Sequence, residues 1–331
     1  MTRPGKGRSR RGAALIVVLA TLLALVPSVY TLLDTSFMHA REPALLADES
    51  RAGILAQSGL KVALNLLRQD QDSLADTPQE PWCGGRPGIE GRPLPIWNSR
   101  GLTVNIIPCN AYLNLNALLV GKEPTTENPN PLRERMETAV ENLLRLEKKS
   151  RDLILSLQDW IDDDTGQRLP GAEGMAYAAM NRGYVPRNAH LVRTEEALLV
   201  DGWKSLDPDW LRAHFTAWGE REPRLNINFA PVAVLEALVP ELVPYRTALV
   251  AFRDSQGFQD VSQLLTATGM DEDTYAKVTP YLTVRSDQFQ VLVRAQVGSW
   301  VEIRRFIIDR SISTGTPKVL CADVLFTGIT S

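Results

Sequence analysis

The sequence predicts an α+β protein in which a long N-terminal helix packs on an antiparallel sheet and a large α-helical domain is inserted between the strands. An uncharged apolar stretch over residues 13–33 precedes a helical pattern over 44–68, which together indicate one long helix. Residues 289–306 alternate between apolar and polar side chains, as strands do. Helical periodicity dominates between these regions, so the order of elements favours a sheet interrupted by helices.

The composition is that of a globular protein with room for two domains and an anchor. The chain has 331 residues, of which 44% are hydrophobic and 23% are charged. Its formal net charge is −3, which gives no support for nucleic acid as a partner. Residues 1–12 contain no acidic side chain, and their basic side chains are Arg3, Lys6, Arg8, Arg10 and Arg11.

The apolar N-terminal stretch is long enough to cross a membrane. As a helix, Ala13 to Leu33 rises about 30 Å, the thickness of the hydrocarbon core. The positive charges before it predict that residues 1–12 stay cytoplasmic and the rest faces outward. A secretory signal would have a shorter apolar core, and its only candidate cleavage site, at residues 38–40, is a poor match. An ordinary membrane anchor is the other alternative.

The basic leader ends in Gly12, and the apolar helix begins at once with Ala13. This junction resembles the prepilin-type signal, which implies that a prepilin peptidase cuts between these residues and methylates the new N-terminus. Most pilins and pseudopilins carry glutamate at the fifth mature position, whereas this chain has Val17 there. A buried carboxylate in hydrocarbon needs a partner, and a subunit at the tip of a fibre has no subunit above it to provide one.

The remaining patterns define the predicted organisation. Residues 102–107 and 319–326 are predicted strands, residues 132–160 are predicted helix, and a hairpin is predicted to turn near residues 298–299. The predicted boundaries are a leader at 1–12, a transmembrane helix at 13–34, a first sheet segment at 35–128, the inserted α-helical domain at 129–285 and the last strands at 286–331.

An acidic cluster in the helical region is the candidate metal site. Its carboxylates are Asp159, Asp162, Asp163, Asp164 and, further along the chain, Glu173. Hard oxygen ligands at this density suit Ca²⁺, although Gln167 replaces the glycine that an EF-hand loop requires. A solvated acidic loop is the alternative. Because the carboxylates crowd into one loop without a nucleophile or a histidine signature nearby, we do not predict an enzyme.

Residues 234–265 resemble a helix-hairpin-helix module, and many such modules bind DNA. Here the hairpin, residues 239–244, contains no glycine, and residues 225–285 hold seven acidic side chains against four basic ones. Phosphate binding needs the opposite balance, so we predict no nucleic-acid binding. Asparagines in the segments 113–118 and 225–230 are predicted to cap helices.

Two cysteines lie in loop-like sequence on either side of a Gly- and Pro-rich segment. Cys83 and Cys109 could form a disulfide if the domain is exported, which would stabilise the fold by roughly 3–4 kcal/mol. Free thiols are the equal alternative.

Several motifs occur together in a fixed order. They stand at Asn114–Leu118, Asp159–Asp164 with Gly171–Glu173, Glu195–Glu196 with Val200–Trp203, Asn226–Ala230 and Val284–Phe289. With the leader glycine and the missing glutamate, this order closely resembles the minor pseudopilin K family of bacterial type II secretion systems. The resemblance covers nearly the whole chain.

The resemblance implies a pilin-like sheet and a structural role. Such a subunit is an inner-membrane, single-pass protein with its C-terminal domain in the periplasm. It would join I- and J-type minor pseudopilins and other pseudopilins to initiate and cap the pseudopilus, and so support protein export across the outer membrane. By resemblance, calcium would be held by Asp159, Asp162, Asp164 and Glu173, with Asp163 on a variable position. The alternatives are a minor pilin of a type IV pilus and a membrane-tethered DNA-binding protein.

Overall fold

The computed structural model describes residues 9–70, 74–83, 97–99, 101–121, 129–164, 166–169, 171–172, 174–310 and 316–329. The α-helices are α1 (Ser9–Gln69), α2 (Pro131–Leu146), α3 (Asp152–Ile161), α4 (Gly174–Ala179), α5 (Pro208–His214), α6 (Val232–Leu238), α7 (Arg246–Ser255), α8 (Gln263–Thr268) and α9 (Glu272–Val278). The strands are β1 (Trp97–Ser99), β2 (Leu102–Pro108), β3 (Leu113–Asn114), β4 (Phe215–Thr216), β5 (Leu225–Asn226), β6 (Leu282–Thr283), β7 (Gln288–Val297), β8 (Trp300–Asp309) and β9 (Lys318–Ile329).

The N-terminal helix α1 is continuous and has two different halves. Within it, Ala14–Leu32 has a mean hydropathy of 2.4 and is 0% buried, so its length and composition suit a membrane span. The second half buries small and apolar side chains against the sheet: Ala52, Ala56, Leu60, Ala63 and Leu67. At Gly59 an added Cβ would lie 2.7 Å from Val293, which shows how closely the helix approaches the strands.

The main sheet has five antiparallel strands in the order β1-β2-β7-β8-β9. The predicted hairpin is confirmed, because Val297 pairs with Trp300 across the turn. Strand β2 pairs directly with β7, so that Val104 faces Val293. The chain therefore leaves the sheet after residue 108 and returns to the neighbouring position at residue 288. The mixed helix-and-sheet class, with an apolar N-terminal helix and an antiparallel sheet, is thereby confirmed.

Among the residues that the structure describes, the buried apolar side chains form two clusters. One lies between α1 and the sheet and includes Val104, Val291 and Phe306. The other lies inside the helical block, by which we mean the described residues between β2 and β7 (109–287), and it includes Leu157 and Trp203. The described core is therefore divided between the face of the sheet that α1 covers and the interior of the helical block.

The predicted helical stretch over residues 132–160 was wrong in one respect, because the chain breaks it into α2 and α3. The break falls in Glu147–Arg151, a run of charged and polar residues without any apolar side chain to pack. Lys148 there takes a left-handed φ of 56°, which ends α2. The exposed run thus turns the chain so that both helices can bury their apolar faces.

Two short parallel strand pairs, β3–β4 and β5–β6, lie inside the helical block and were not predicted. Each pair begins at one of the asparagine motifs. Asn114 Oδ1 accepts a hydrogen bond from Asn116 N at 3.0 Å, and Asn226 Oδ1 accepts one from Asn228 N at 3.0 Å. The predicted cap is confirmed at Asn114, which is the N-cap of a 3-10 helix at Leu115–Leu119. It was wrong at Asn226, whose bond closes a turn ahead of α6, because the N-cap of α6 is Pro231, which has no side-chain donor or acceptor. The second asparagine of each motif bridges distant segments of backbone.

Candidate metal centre and its attachment to the sheet

The acidic cluster lies where α3 ends. Asp159 is fully buried in the last turn of the helix, and Asp162, its C-cap, is 7% exposed. Asp163 and Asp164 point toward solvent, and Asp164 Oδ1 accepts a hydrogen bond from Gly166 N at 2.6 Å. The structure thus brings together four of the five predicted carboxylates, while Glu173 lies outside the described residues.

Arg168 folds back over the two buried carboxylates, a contact that the spacing of the acidic residues did not predict. Its Nη1 donates to Asp159 Oδ1 at 3.1 Å and also to Asp162 Oδ2. Its backbone N lies 3.2 Å from each carboxylate oxygen of Asp159. One positive charge is therefore shared between the two most buried acids of the loop.

The donor set of this loop fits a calcium ion. Asp162 Oδ1 is buried and has no hydrogen-bond partner, although buried acceptors are normally paired. Burial raises the pKa of Asp159 and of Asp162 despite the opposing contacts with Arg168. Gly171 leaves the space beside Asp159, since a Cβ there would collide with the carboxylate. The loop therefore holds more negative charge than one guanidinium balances, and calcium prefers oxygen ligands of this kind.

Trp160 connects the acidic loop to the motif at residues 195–196. Its ring packs on Tyr177, with 5.5 Å between the ring centroids, and its Nε1 donates to Glu196 Oε1 at 3.3 Å. Glu196 also accepts from Arg187 at 3.0 Å. The loop and the Glu195–Glu196 motif are therefore parts of one packed unit.

The neighbouring Glu195 points the other way, toward the sheet. It accepts two hydrogen bonds from Nη1 of Arg305 on β8, at 3.0 and 3.2 Å, and Arg305 Nη2 donates to Asp323 on β9 at 3.0 Å. Arg193 and Arg212 complete this chain of alternating charges. Although burial would raise the pKa of Glu195, the guanidinium of Arg305 holds it below its usual value. Motif spacing singled out Glu195, but its partner on the sheet, Arg305, lies 110 residues away in the sequence, so sequence reasoning missed this pair.

A second carboxylate cluster surrounds Arg310 and was also not predicted. The carboxylate oxygens of Asp70, Asp76 and Glu80 lie within 4.8 Å of one another. Arg310 donates to Asp70 and, at 2.7 Å, to Asp76, whose other oxygen accepts from Ser286 N. Burial raises the pKa of Asp76 to about 6 and, together with the two neighbouring carboxylates, that of Glu80 to about 8.

This Arg310 cluster is a clamp at the place where the chain enters and leaves the sheet. Asn110 follows β2, and its Oδ1 accepts from Ser286 Oγ, just before β7, at 2.6 Å. Ser286 Oγ in turn accepts from Asn226 Nδ2 at 2.9 Å. Asp70, next to the end of α1, belongs to the same cluster, so the crossing lies at the end of α1 that is farthest from the candidate membrane span.

The other predicted site residues lie apart from the acidic loop. Gly12 and Ala13 belong to the backbone of α1, and Val17 is 61% exposed within the apolar segment. The disulfide alternative is not what the structure shows, because Cys83 and Cys109 are both free and buried. Cys83 packs in the cluster between α1 and the sheet, whereas Cys109 lies beside Arg305, and burial raises the pKa of its thiol to about 12.

The helix-hairpin-helix-like segment consists of α6, a 3-10 turn at Pro240–Tyr245, α7 and α8. Both of its basic side chains, Arg246 and Arg253, are engaged within the protein. Arg253 is fully buried and donates to the carbonyl of Ala230 at 3.0 Å, while Arg246 pairs with Glu236. The segment therefore packs through its cations, which leaves fewer of them for a phosphate backbone.

The chain combines an N-terminal helix that is long and apolar enough to cross a membrane with an antiparallel sheet and a helical block joined to that sheet. This architecture is compatible with a subunit that is anchored in a membrane by its N-terminal helix. The comparisons agree with this class. A Klebsiella pneumoniae protein named Type II secretion system protein K is 27% identical over 287 residues, which cover 85% of this chain and 86% of that protein. The crystal structure of the GspK-GspI-GspJ complex from the enterotoxigenic Escherichia coli type 2 secretion system contains a chain that matches 87% of this one with a TM-score of 0.66, 21% identity and 99% of its own length covered.

Comparison with family models identifies the family of the chain. Two models described as "Type II secretion system (T2SS), protein K" match residues 111–220 and 225–285, which together make up just over half of the sequence. The chain belongs to the type II secretion system protein K family. Both matched regions lie within the helical block, where the acidic loop and the asparagine motifs are found.

Proposed function

We propose that this protein is the minor pseudopilin at the tip of a type II secretion pseudopilus, where it initiates and caps the fibre. The observation that carries this proposal is the position of the crossing between sheet and helical block. The block joins the sheet at the end of α1 opposite to Ala14–Leu32, where Asp70 and Arg310 meet. In a fibre built from stacked helices, a bulky domain at that end would leave no room for another subunit above it.

The proposed partners are the I- and J-type minor pseudopilins. The structural neighbour was solved together with GspI and GspJ, and its fold matches this chain over most of its length. The exposed apolar half of α1 offers a helix that packs in the membrane and then against partner helices. Processing by a prepilin peptidase between Gly12 and Ala13 would release the mature subunit, which keeps its single-pass anchor in the inner membrane and its C-terminal domain in the periplasm.

A structural calcium ion is part of the proposal. Asp159, Asp162 and Asp164 would supply oxygen ligands, with Glu173 and Asp163 as further candidates. The ion would supply positive charge to a loop with an unpaired buried oxygen on Asp162. Because Trp160 connects this loop to Glu196, a bound ion would stiffen the side of the helical block that faces the sheet.

Two other functions are less well supported by the geometry. The two buried carboxylates of the acidic loop, Asp159 and Asp162, converge on one cation rather than facing a cleft, which favours a structural role over a catalytic one. The buried Arg253 and the paired Arg246 argue against binding of DNA by the helix-hairpin-helix-like segment.

The test is copurification of the full-length chain, in detergent micelles, with the I- and J-type pseudopilins of the same host. The experiment is run with calcium and again with a chelator. A stoichiometric ternary complex supports the tip role. No complex under either condition contradicts it and favours a type IV pilus subunit. A salt-dependent DNA shift assay then tests the other alternative, a membrane-tethered DNA-binding protein.

A further inference from the structure

Arg168 occupies the part of the acidic loop where calcium is proposed to bind. Its Nη1 bonds to both Asp159 and Asp162, and its side chain is only 17% exposed. Calcium needs its oxygen ligands at about 2.3–2.6 Å. An ion held by Asp159 and Asp162 would therefore compete with Nη1 for the same oxygen atoms.

With the guanidinium in place, neither the hydrogen bonds nor the negative charge of the loop is fully satisfied. Asp162 Oδ1 remains buried without a donor, and Asp163 and Asp164 add two further negative charges nearby. The cluster at Arg310 differs in this respect. Among the described residues there, every buried carboxylate oxygen of Asp70, Asp76 and Glu80 has a partner. Of these two described clusters, the acidic loop is the one that combines a bound cation with an unsatisfied buried acceptor. A divalent ion that replaced the guanidinium could bind this acceptor as well.

We infer that Arg168 is an internal counter-ion, which neutralises the acidic loop when calcium is absent and leaves when calcium binds. Arg168 then sets the calcium concentration at which the loop fills. The inference rests on the proposed calcium site and adds its regulation. It explains how Asp159 and Asp162 tolerate burial without the metal, since two buried carboxylates without a cation would repel each other and lose their hydration.

The exit of the side chain needs little rearrangement. Residues 166, 167 and 169 are exposed, so the guanidinium can move into water while the backbone stays in place. The backbone N of Arg168 can keep its hydrogen bonds to Asp159, because a carboxylate oxygen accepts from an amide and binds a cation at the same time. Only the side-chain contacts have to be exchanged.

The experiment compares calcium binding by the unchanged chain, Arg168→Gln, Arg168→Lys and Arg182→Gln, each full-length in detergent micelles. Arg182→Gln is the matched control, because it removes the same charge from a pair with Asp201 in the same helical block. Isothermal titration with CaCl₂ gives the affinity. The melting temperature is measured in chelator and in saturating calcium.

We expect Arg168→Gln to bind calcium at least about tenfold more tightly than the unchanged chain, since a hydrogen bond to a charged group no longer has to be broken. The same variant should melt at a lower temperature in chelator and at an unchanged temperature in saturating calcium. Arg168→Lys keeps the competing charge and should bind calcium as the unchanged chain does. Arg182→Gln should show neither effect.

Equal calcium affinity of the unchanged chain and Arg168→Gln would overturn the counter-ion role and leave the calcium site intact. Tighter binding by Arg168→Lys would overturn it as well, because the charge would then not be the competitor. If no variant binds calcium, the proposed calcium site itself fails. Failure of the calcium site is distinguishable from failure of the counter-ion role, because in the first case the unchanged chain itself binds no calcium. Should Arg168→Gln not fold in chelator, refolding on addition of calcium supports the inference, and failure to refold contradicts it.

Discussion

The contact between Glu195 and Arg305 should hold the helical block against the sheet. The perturbation is Glu195→Gln, which keeps the shape of the side chain and removes its charge. The side chain of Arg305 is buried, with 6% of its surface exposed, and that of Glu195 is half-buried, with 24% exposed. The variant exchanges two hydrogen bonds between charged groups, at 3.0 and 3.2 Å, for at most one bond to a neutral amide.

The magnitude follows from these contacts. Hydrogen bonds to charged groups contribute about 1.5–3 kcal/mol, and removing one partner of a buried pair costs about 3–5 kcal/mol. Asp323 stays in place to neutralise Arg305, so the lower part of this scale applies, and we expect a loss of about 2 kcal/mol. For domains of this size that corresponds to a decrease of about 4–8 °C in the melting temperature.

The assay is thermal unfolding of the full-length chain, followed by circular dichroism, together with amide hydrogen exchange of β8. Glu236→Gln is the control. It makes the same chemical change in a pair with Arg246, whose side chain is 54% exposed and which lies wholly within the helical block, so the melting temperature should hardly change. If both variants lower the melting temperature equally, or if exchange in β8 is unaffected by Glu195→Gln, the reasoning about this contact is refuted.

Three further predictions concern the metal, the anchor and pH. Removing calcium with a chelator should lower the melting temperature of the chain, because Asp162 and its neighbours lose their cation, and an unchanged melting curve would contradict the calcium site. Val17→Glu should weaken placement at the tip, measured as initiation of pseudopilus assembly, with Val17→Leu as the control; normal initiation with glutamate would count against the role of this position. Burial raises the pKa of Glu80 from its usual value of 4.5 to about 8, so the folded state binds more protons than the unfolded state between these values. Stability should therefore fall as pH rises from about 4.5 to 8. Asp76, with a pKa of about 6 against 3.8, acts in the same direction. The effect is measured as the difference between the melting temperatures at pH 5 and at pH 8. Glu80→Gln should reduce this difference. A stability that rises with pH would show that the carboxyl of Glu80 is not protonated in the folded state.

The sequence determined the features that depend on neighbours along the chain. The apolar segment, the β7–β8 hairpin and the helices of the block follow from periodicity, because side chains two or three to four residues apart share a face. The acidic loop was visible because four carboxylates stand within six residues. The cap at Asn114 was visible for the same reason, since a cap bonds to backbone two or three residues ahead.

Only the tertiary structure decided how these pieces are joined. Glu195 and Arg305 are 110 positions apart, and Asp70 and Arg310 are 240 positions apart. No local pattern encodes such pairs, because an ion pair depends on where two separate elements come to lie. The place of Arg168 was hidden in another way, since it lies close to the acidic residues in sequence but reaches Asp159 and Asp162 only after the loop turns back over the end of α3. Short-range order thus fixed which elements form, and packing fixed which charges meet.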